Sequence, residues 1–309
     1  MEINNGQAPA VIDWLLEGDP SIRWQVMKDL LLLPEQQWRA EQKTVAREGW
    51  GYRLLSHQAP DGTWAKGIYT PKWTSTTYTL LLLKNIGLEP GHPAALKACE
   101  VLDQKNHSVD GGINYWGIKH SETCVTGMIL GIFSWFGYLA PATMKLAEYL
   151  MDEQMPDGGW NCRRRYGAVH SSFHTTINVL EGLRELEKIK PETRLVTARN
   201  RAVEFMLQHR LFRSHRTGKV FDPQMTMLSY PAYWHYDIMR MLDYMADRAY
   251  PHDKRMDGAL AIIRKKQTKN GLWPLQHPWK AKVWFEMEKP GMPSRWNTLR
   301  ALRILKIYK

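Results

Sequence analysis

The sequence predicts an all-α fold, a single α/α toroid in which about six helical hairpins build an inner and an outer ring. Three observations favour this fold class. A short phrase ending in Trp recurs with a period near fifty residues, strongly apolar helical segments alternate with amphipathic ones, and no segment of useful length alternates like a β-strand. We therefore expect residues 1–309 to form one toroid domain.

The composition is that of a folded protein with a large core. Of the 309 residues, 44% are hydrophobic and 24% are charged, which is typical of globular rather than disordered chains. The longest apolar run, residues 128–139, is too short to cross a bilayer. Residues 1–10 lack a secretory pattern, and the three cysteines are too few for a disulfide framework, so we expect a cytoplasmic protein.

The net charge of +11 is large enough to attract anionic ligands, nucleic acid or an anionic membrane surface. No nucleic-acid-binding motif accompanies the short basic clusters, so we expect no nucleic-acid partner. Peripheral membrane contact and a partner subunit stay open as alternatives. Solvated helix ends and loops are the simpler explanation of the same clusters.

The repeated phrase is Gln-x-x-Asp-Gly-x-Trp. Full copies occupy residues 58–64 and 154–160, a shortened copy lies at 110–116, and a degenerate copy with Asn in place of Asp lies at 267–273. Asp-Gly and Asn-Gly form tight turns, because the short side chain bonds its own backbone and glycine accepts a positive φ. Each phrase should therefore end one helix, and the period leaves room for two helices and their turns.

The predicted helices follow in order along the chain. Two segments, 13–33 and 36–56, come first. Apolar helices are predicted at 74–86, 122–136, 172–186, 231–246 and 295–307, and amphipathic helices at 93–105, 142–153, 197–208 and 253–267.

This alternation is what a double ring requires. An inner helix is covered along most of its surface, whereas an outer helix keeps one face in water. About a dozen helices correspond to six hairpins that close on themselves. An open solenoid of hairpins is the alternative.

The repeated phrase resembles the Gln-Trp repeat of squalene and oxidosqualene cyclases. The whole chain resembles one toroidal domain of that superfamily, which includes the β-subunits of protein prenyltransferases. The resemblance implies an isoprenoid or similar apolar or amphipathic small molecule, bound or transformed in a central cavity. It also implies a structural role for the repeat residues, in which the amide bridges helix ends and the indole packs against a neighbouring turn: Gln58, Trp64, Gln154, Trp160, Gln267 and Trp273.

The catalytic motifs of the superfamily are absent or incomplete. The sequence has no Asp-x-Asp-Asp acid motif and no Asp-rich magnesium motif, so the chemistry of the cyclases does not carry over. The resemblance to prenyltransferase β-subunits implies a zinc site made by Asp, Cys and His. Residues in that order, with a different spacing, are Asp157, Cys162, His170 and His174. The alternative is a turn carboxylate and an ordinary buried thiol.

Polar side chains near the starts of the apolar helices form a second candidate site. Alignment by apolar phase brings one set to the same level: Arg23, Thr77, Cys124, His174, His235 and Asn297. Glu122 and Asp237 lie within one turn of that level. We therefore take Glu122, Cys124, His174, His235 and Asp237 as candidate catalytic residues, with simple helix capping around a wet cavity as the alternative.

Aromatic and basic residues complete the predicted binding site. Aromatic rings at or before the apolar helices could line an apolar pocket, stabilise a cation or stack on sugars: Trp73, Trp116, Tyr166, Tyr230, Tyr233, Trp234 and Trp296. The run Arg163, Arg164 and Arg165 could hold an anionic diphosphate. Two alternatives stay open, a glycan-active toroid with Glu122 and Asp237 as acid and base, and a non-catalytic binding protein on the same scaffold.

Overall fold

The computed structural model describes residues 8–105 and 108–309. Within these residues all regular structure is helical, and the only β-type pairs are isolated bridges in loops. Residues 1–7, on which part of the localisation prediction rests, lie outside the described residues. No helix in the described part of the chain is long and apolar enough to cross a membrane.

The helices form two concentric rings. The inner ring consists of α2 (Pro20–Gln25, continued by a π-helical segment Val26–Leu30), α5 (Thr76–Ile86), α7 (Thr123–Phe136), α9 (Phe173–Ile189), α11 (Ile238–Asp247) and α13 (Arg295–Ile307). The outer ring consists of α1 (Ala8–Leu16), α3 (Glu35–Thr44), α4 (Gly49–Leu55), α6 (Pro93–Lys105), α8 (Pro141–Asp152), α10 (Thr193–Gln208) and α12 (Asp257–Lys265). The all-α toroid of six hairpins is confirmed.

Burial distinguishes the two rings. Nearly every residue of α7 is buried, because other helices cover it on all sides. In the outer helix α6 only Ala95, Ala98, Cys99 and Leu102 are buried, which is one stripe with spacings of three and four residues. The alternation of apolar and amphipathic segments in the sequence therefore reports the position of each helix in the double ring.

The ring closes between the two ends of the chain. Helix α13 packs on α2 and on its π-helical continuation, where the Arg303 guanidinium lies 2.6 Å from an Asp29 carboxylate oxygen. On the other side of α2, the Trp24 indole nitrogen donates to the carbonyl of Ile86 at the end of α5 at 3.0 Å. The structure is therefore a closed toroid and not an open solenoid.

The inner helices run parallel, since residues near their starts contact one another and residues near their ends do the same. The Tyr236 amide before α11 donates to His174 Nδ1 at the start of α9 at 2.8 Å. Arg184 in α9 pairs with Asp247 at the end of α11 at 3.3 Å. We call the end of the ring where the inner helices begin the N-terminal rim, and the opposite end the C-terminal rim.

The repeated phrases join outer helices to inner helices at the N-terminal rim. The Trp64, Trp160 and Trp273 indole nitrogens donate at 2.6–2.7 Å to carbonyls ten residues earlier, at the ends of the preceding outer helices. Gln58 and Gln154 each donate to the glycine carbonyl of their own turn and to a carbonyl of the next outer helix. These bonds confirm the predicted structural role of Gln58, Gln154 and the three Trp side chains. In the degenerate copy, Gln267 bonds only the Gly271 carbonyl of its own turn, at 3.4 Å, among the described residues.

Glycine is required at two kinds of position. The turn glycines of all four copies have φ between 79° and 99°, which a residue with a Cβ adopts only with strain: Gly62, Gly111, Gly158 and Gly271. Gly182 in α9 faces α7, and a Cβ there would lie 2.3 Å from the carbonyl oxygen of Gly127. Glycine therefore permits the close approach of α7 and α9.

Three predicted boundaries were wrong. The segment 13–33 is broken at Gly18, because Asp19 caps a new helix whose first residue is Pro20. The segment 36–56 is split into α3 and α4. The segment 231–246 becomes helical only at Ile238, since residues 231–237 form an irregular loop in which Tyr233 has φ of 50°.

Candidate functional site

Aromatic side chains fill the N-terminal rim. Trp73 and Tyr233 stack with ring centroids 4.1 Å apart and planes 7° apart. Tyr78 of α5 meets both rings edge-on, at 4.8 and 5.8 Å. Trp73, Tyr78 and Tyr233 are buried, so the structure brings the predicted binding residues Trp73 and Tyr233 into one cluster.

Two histidines extend this cluster. His235 is stacked between Trp234, 3.7 Å away, and Trp279, 3.4 Å away between ring centroids. Burial lowers the pKa of His235 to about 3. Burial also lowers the pKa of His174, whose Nδ1 accepts the Tyr236 amide. Both imidazoles are therefore neutral near pH 7, and the predicted site residues His174, Trp234 and His235 lie together.

A long loop covers the rim. This cap loop, residues 276–292, has no regular secondary structure. The carbonyls of Trp279 and Lys282 accept from the indole and the amide of Trp73 at 3.1 and 2.7 Å. The Trp284 indole donates to the Thr79 hydroxyl of α5 at 3.2 Å. The cap loop is thus attached to an inner helix some two hundred residues earlier in the chain.

An apolar cavity of about 190 Å³ lies between the cap loop and the ring. The ring side is lined by Leu54, Trp73, Leu82, Tyr230, Pro231 and Tyr233, and the loop side includes Trp279, Val283, Trp284, Phe285 and Met287. A mainly apolar lining with a few polar groups is typical of small-molecule sites.

Glu288 is a partly buried acid in the lining of this cavity. One carboxylate oxygen accepts the Trp296 amide at 3.1 Å, and the other accepts the Ser294 hydroxyl. Burial raises the pKa of Glu288, although both bonds favour the ionised form. A carboxyl group with a raised pKa keeps its proton to higher pH and can donate it to a bound group.

Cys124 and Cys162 form a second cluster, beside the aromatic one. The Cys124 amide at the start of α7 donates to the Cys162 sulfur at 3.1 Å, and the Thr175 hydroxyl donates to the same sulfur at 3.4 Å. Hydrogen bonding from the Cys124 thiol lowers the pKa of Cys162, and the same contact raises the pKa of Cys124. Nearby Glu122 accepts from the Trp116 indole at 2.5 Å, and burial raises the pKa of Glu122.

The predicted metal ligands do not converge. Asp157 accepts the amide and hydroxyl of Ser171, while His170 is exposed and precedes helix α9, so it does not share a helical face with His174. Cys162 bonds to Thr175 and Cys124. Within residues 8–105 and 108–309, no three His, Cys, Asp or Glu side chains are placed to hold a metal ion.

The arginine run lies on the outer side of the rim. Arg164 and Arg165 both pair with Glu153, at 3.1 and 2.8 Å, and Arg163 is exposed. Tyr166 is 55% exposed beside His120. Arg164 and Arg165 thus contact the end of the outer helix α8, and the four residues 163–166 do not line the apolar cavity.

Three further predicted residues, Asp237, Trp116 and Trp296, lie at three different positions. The Asp237 carboxylate caps α11 by accepting the Arg240 amide at 2.7 Å, and burial raises the pKa of Asp237. Trp116 is 45% exposed and lies edge-on to Tyr69 at 5.3 Å. Trp296 stacks on Tyr230 with centroids 4.3 Å apart.

A second cavity, of about 160 Å³, lies along the ring axis on the other side of Tyr230. Charged side chains make up most of its lining, so we call it the polar cavity. Tyr230 is the residue common to the two linings in the described part of the chain. The predicted site residue Trp296 lines the polar cavity and not the apolar one.

Sequence reasoning missed the cap loop and the polar cavity. Trp279, Trp284 and Glu288 lie in a stretch without helical periodicity, where aromatic residues in a long loop were the available signal. Lys84 lies in an otherwise apolar helix, and a charged residue inside such a run is the sequence feature that could have indicated the polar cavity.

No protein family matches the sequence, and no curated protein matches it. Among solved structures, a protein from Actinoplanes is 17% identical and has a TM-score of 0.48, with 97% of this chain and 99% of that chain covered.

Type II terpene cyclase MstE from Scytonema is also similar. A variant of it in complex with geranylgeranyl dihydroxybenzoate is 16% identical, with a TM-score of 0.46 over 98% of this chain and 95% of that chain. The apo form is 14% identical, with a TM-score of 0.35 over 86% of this chain and 97% of that chain.

Proposed function

We propose that this protein binds an isoprenoid-type apolar ligand in the cavity beneath the cap loop. The observation that carries the proposal is the lining itself, in which Trp73 and Tyr233 present a stacked aromatic wall opposite Trp284 and Phe285. Aromatic faces bind branched hydrocarbons through dispersion and also attract a positive charge.

The size of the cavity limits the part of the ligand that fits. A dry cavity of about 150 Å³ is large enough to hold benzene. The apolar cavity, of about 190 Å³, therefore accommodates a short prenyl group with the cap loop in this position. A longer chain would require the loop to move outward.

The proposal is tested with an uncharged prenyl alcohol, geraniol, so that charge plays no part in binding. Leu82 lines the cavity and is 7% exposed, and Leu82→Phe would place extra carbon atoms in the space that the ligand needs. We expect the wild type to bind geraniol saturably by tryptophan fluorescence, and Leu82→Phe to weaken binding about tenfold or more.

The matched control is Leu139→Phe, the same change at a leucine that is 55% exposed. It should leave geraniol binding unchanged. Equal affinity in Leu82→Phe and wild type would place the ligand elsewhere. Preferential binding of oligosaccharides over geraniol would support the glycan alternative instead.

A further inference from the structure

The polar cavity opens at the C-terminal rim. Residues at its mouth are partly exposed, with 44%, 45% and 40% of the side chain accessible for Lys28, Lys188 and Asp247. Deeper residues are buried, including Arg240 and Arg300. A charged ligand can therefore enter from water and reach a region where few waters compete for its charge.

The acidic side chains on the α9 side of this cavity are already paired. Glu181 accepts two bonds from the Arg240 guanidinium, at 2.8 and 2.7 Å. Glu185 pairs with Arg184 at 2.7 Å and with Lys188 at 2.9 Å. The bidentate Arg240–Glu181 pair satisfies both the charge and the hydrogen bonds of its carboxylate. Arg184 and Lys188 occupy one oxygen each of the Glu185 carboxylate.

The acidic side chains on the opposite side are paired as well. Asp243 accepts from Arg303 at 2.7 Å and from Arg300 at 3.1 Å. Arg303 also bonds Asp29 at 2.6 Å. Asp247, at the mouth, pairs with Arg184 at 3.3 Å. Each carboxylate that the described residues contribute to the lining therefore has a guanidinium partner.

Lys84 is the basic residue that this network does not use. Its side chain lines the cavity and only 5% of the residue is exposed. Its ammonium nitrogen has one long bond, 3.4 Å to the Asn85 side-chain oxygen, and no carboxylate of the described residues lies within 4.0 Å of it. A buried charge without a close counterion is costly unless an anion compensates it.

The neighbouring helix leaves room beside Lys84. Gly131 of α7 faces the lysine stem, with the position of a Cβ 3.7 Å from the Lys84 Cε atom. Burial lowers the pKa of Lys84, and the carboxylates of Glu185 and Glu181 oppose that shift. An anion bound at the ammonium group would likewise favour the protonated form of Lys84.

We propose that the polar cavity is a binding site for a diphosphate group, held by the Lys84 ammonium. The basic side chains of the lining outnumber the acidic ones by two, which matches a compact anion of at least two negative charges. A water needs about 10–15 Å³ of such volume, so the cavity of about 160 Å³ has space for an anion of this size together with waters.

Two sources could supply the diphosphate group, free pyrophosphate or the headgroup of a prenyl diphosphate. The inference does not rest on the apolar cavity, because the two linings share only Tyr230 among the described residues. A prenyl diphosphate would have to pass Tyr230 to use both cavities.

Isothermal titration calorimetry with sodium pyrophosphate at constant ionic strength tests the proposal, followed by geranyl diphosphate. We expect saturable binding by the wild type and a loss of about tenfold or more in Lys84→Met, which keeps the length of the side chain and removes its charge. Lys145→Met, at an exposed lysine of the outer helix α8, should bind like wild type.

Circular dichroism verifies that each variant is folded, and Lys84→Gln replaces Lys84→Met if the latter is not. Binding of pyrophosphate that depends on Lys84 supports a free anion. Binding of geranyl diphosphate alone, with the same dependence, supports a lipid headgroup. Absence of saturable binding for both compounds, or equal affinity in Lys84→Met, overturns the proposal, and neither result bears on geraniol binding in the apolar cavity.

Discussion

The inner helices begin among aromatic rings and end among ion pairs. At the N-terminal rim, Trp73, Tyr233 and His235 are neutral, stacked and covered by the cap loop. Along the axis toward the C-terminal rim, guanidinium and carboxylate groups of neighbouring inner helices pair with one another, as Arg240 and Glu181 do. The same six helices therefore enclose two environments with different chemistry.

The difference shows how a toroid can build a binding site without a large open channel. Stacked rings line a small apolar cavity at one end, whereas paired charges line a small polar cavity toward the other. Basic side chains toward the ends of parallel helices are also favourable, because the last carbonyls of each helix carry partial negative charge. Tyr230 lies between the two environments and contacts both cavities.

Removing one member of an ion pair that lines the polar cavity should have the largest effect on the free energy of unfolding. Arg240→Met would leave the Glu181 carboxylate buried without its bidentate partner, and removal of one member of a buried pair costs about 3–5 kcal/mol. Urea denaturation of the variant against wild type measures this loss.

The double variant Arg240→Met with Glu181→Met should recover most of the lost stability, because it removes both charges and keeps the volume. If Arg240→Met lowers the free energy of unfolding by less than about 1 kcal/mol, the range of a surface pair, the ion pairs around the polar cavity do not stabilise this part of the ring.

The two rims should lose stability at different pH values when the solution is acidified. His235 is neutral when folded, with a pKa of about 3, whereas an unfolded histidine takes up a proton below about pH 6.5. The N-terminal rim should therefore lose stability as pH falls from about 6.5 toward 3.

The charged side should respond only at lower pH. Burial alone would raise the pKa of Glu181, but Arg240 lowers it to about 2. An unfolded glutamate titrates near pH 4.3, so this contribution is present above that value and is lost as pH falls through about 2.

Urea denaturation between pH 7 and pH 4 measures the contribution of His235. The variant His235→Phe, which keeps a ring between Trp234 and Trp279, should show a smaller fall in stability over this range. The matched control is His57→Phe, because His57 also stacks on a tryptophan, Trp284, but is exposed. Equal pH dependence in His235→Phe and wild type would contradict the assignment.

The smallest effect is expected at the boundary between the two cavities. The Tyr230 hydroxyl is buried and has no hydrogen-bond partner in the described part of the protein. Tyr230→Phe should therefore leave stability unchanged or raise it by up to about 1 kcal/mol, because it removes an unsatisfied polar group.

Tyr236→Phe is the matched comparison, since the Tyr236 hydroxyl donates to the Leu211 carbonyl. Its loss should cost about 1 kcal/mol by thermal or urea denaturation. A cost of the same size in Tyr230→Phe would show that the Tyr230 hydroxyl does have a partner, such as a water in the polar cavity.

The fold could be read from the sequence because its signals are local. The turn phrases, the periodicity of α6 and the apolar character of α7 each depend on neighbouring residues. The aromatic cluster could also be predicted in part from the sequence, since Trp73 and Tyr233 each lie a few residues before an inner helix.

The site was harder to predict because its contacts are distant in the chain. The Trp284 indole and its partner Thr79 are 205 residues apart, and Arg240 and Glu181 are 59 apart. Nothing in local periodicity specifies such pairs. The arginine run 163–165 shows the converse error, since a conspicuous local cluster lies beside Glu153 on the outer side.

The contact between Arg303 and Asp29 has a consequence for how the molecule holds together. In an open array of hairpins, the first and last units each have one uncovered face and need special capping sequences. Here the last inner helix covers the first, so none of the hairpins in the described part of the chain is terminal or needs a cap. Removal of the final hairpin would uncover apolar surface on two neighbours at once, and these neighbours, α2 and α11, lie at distant positions in the chain. The closed ring therefore couples the stability of its first and last helices, which an open array would leave independent.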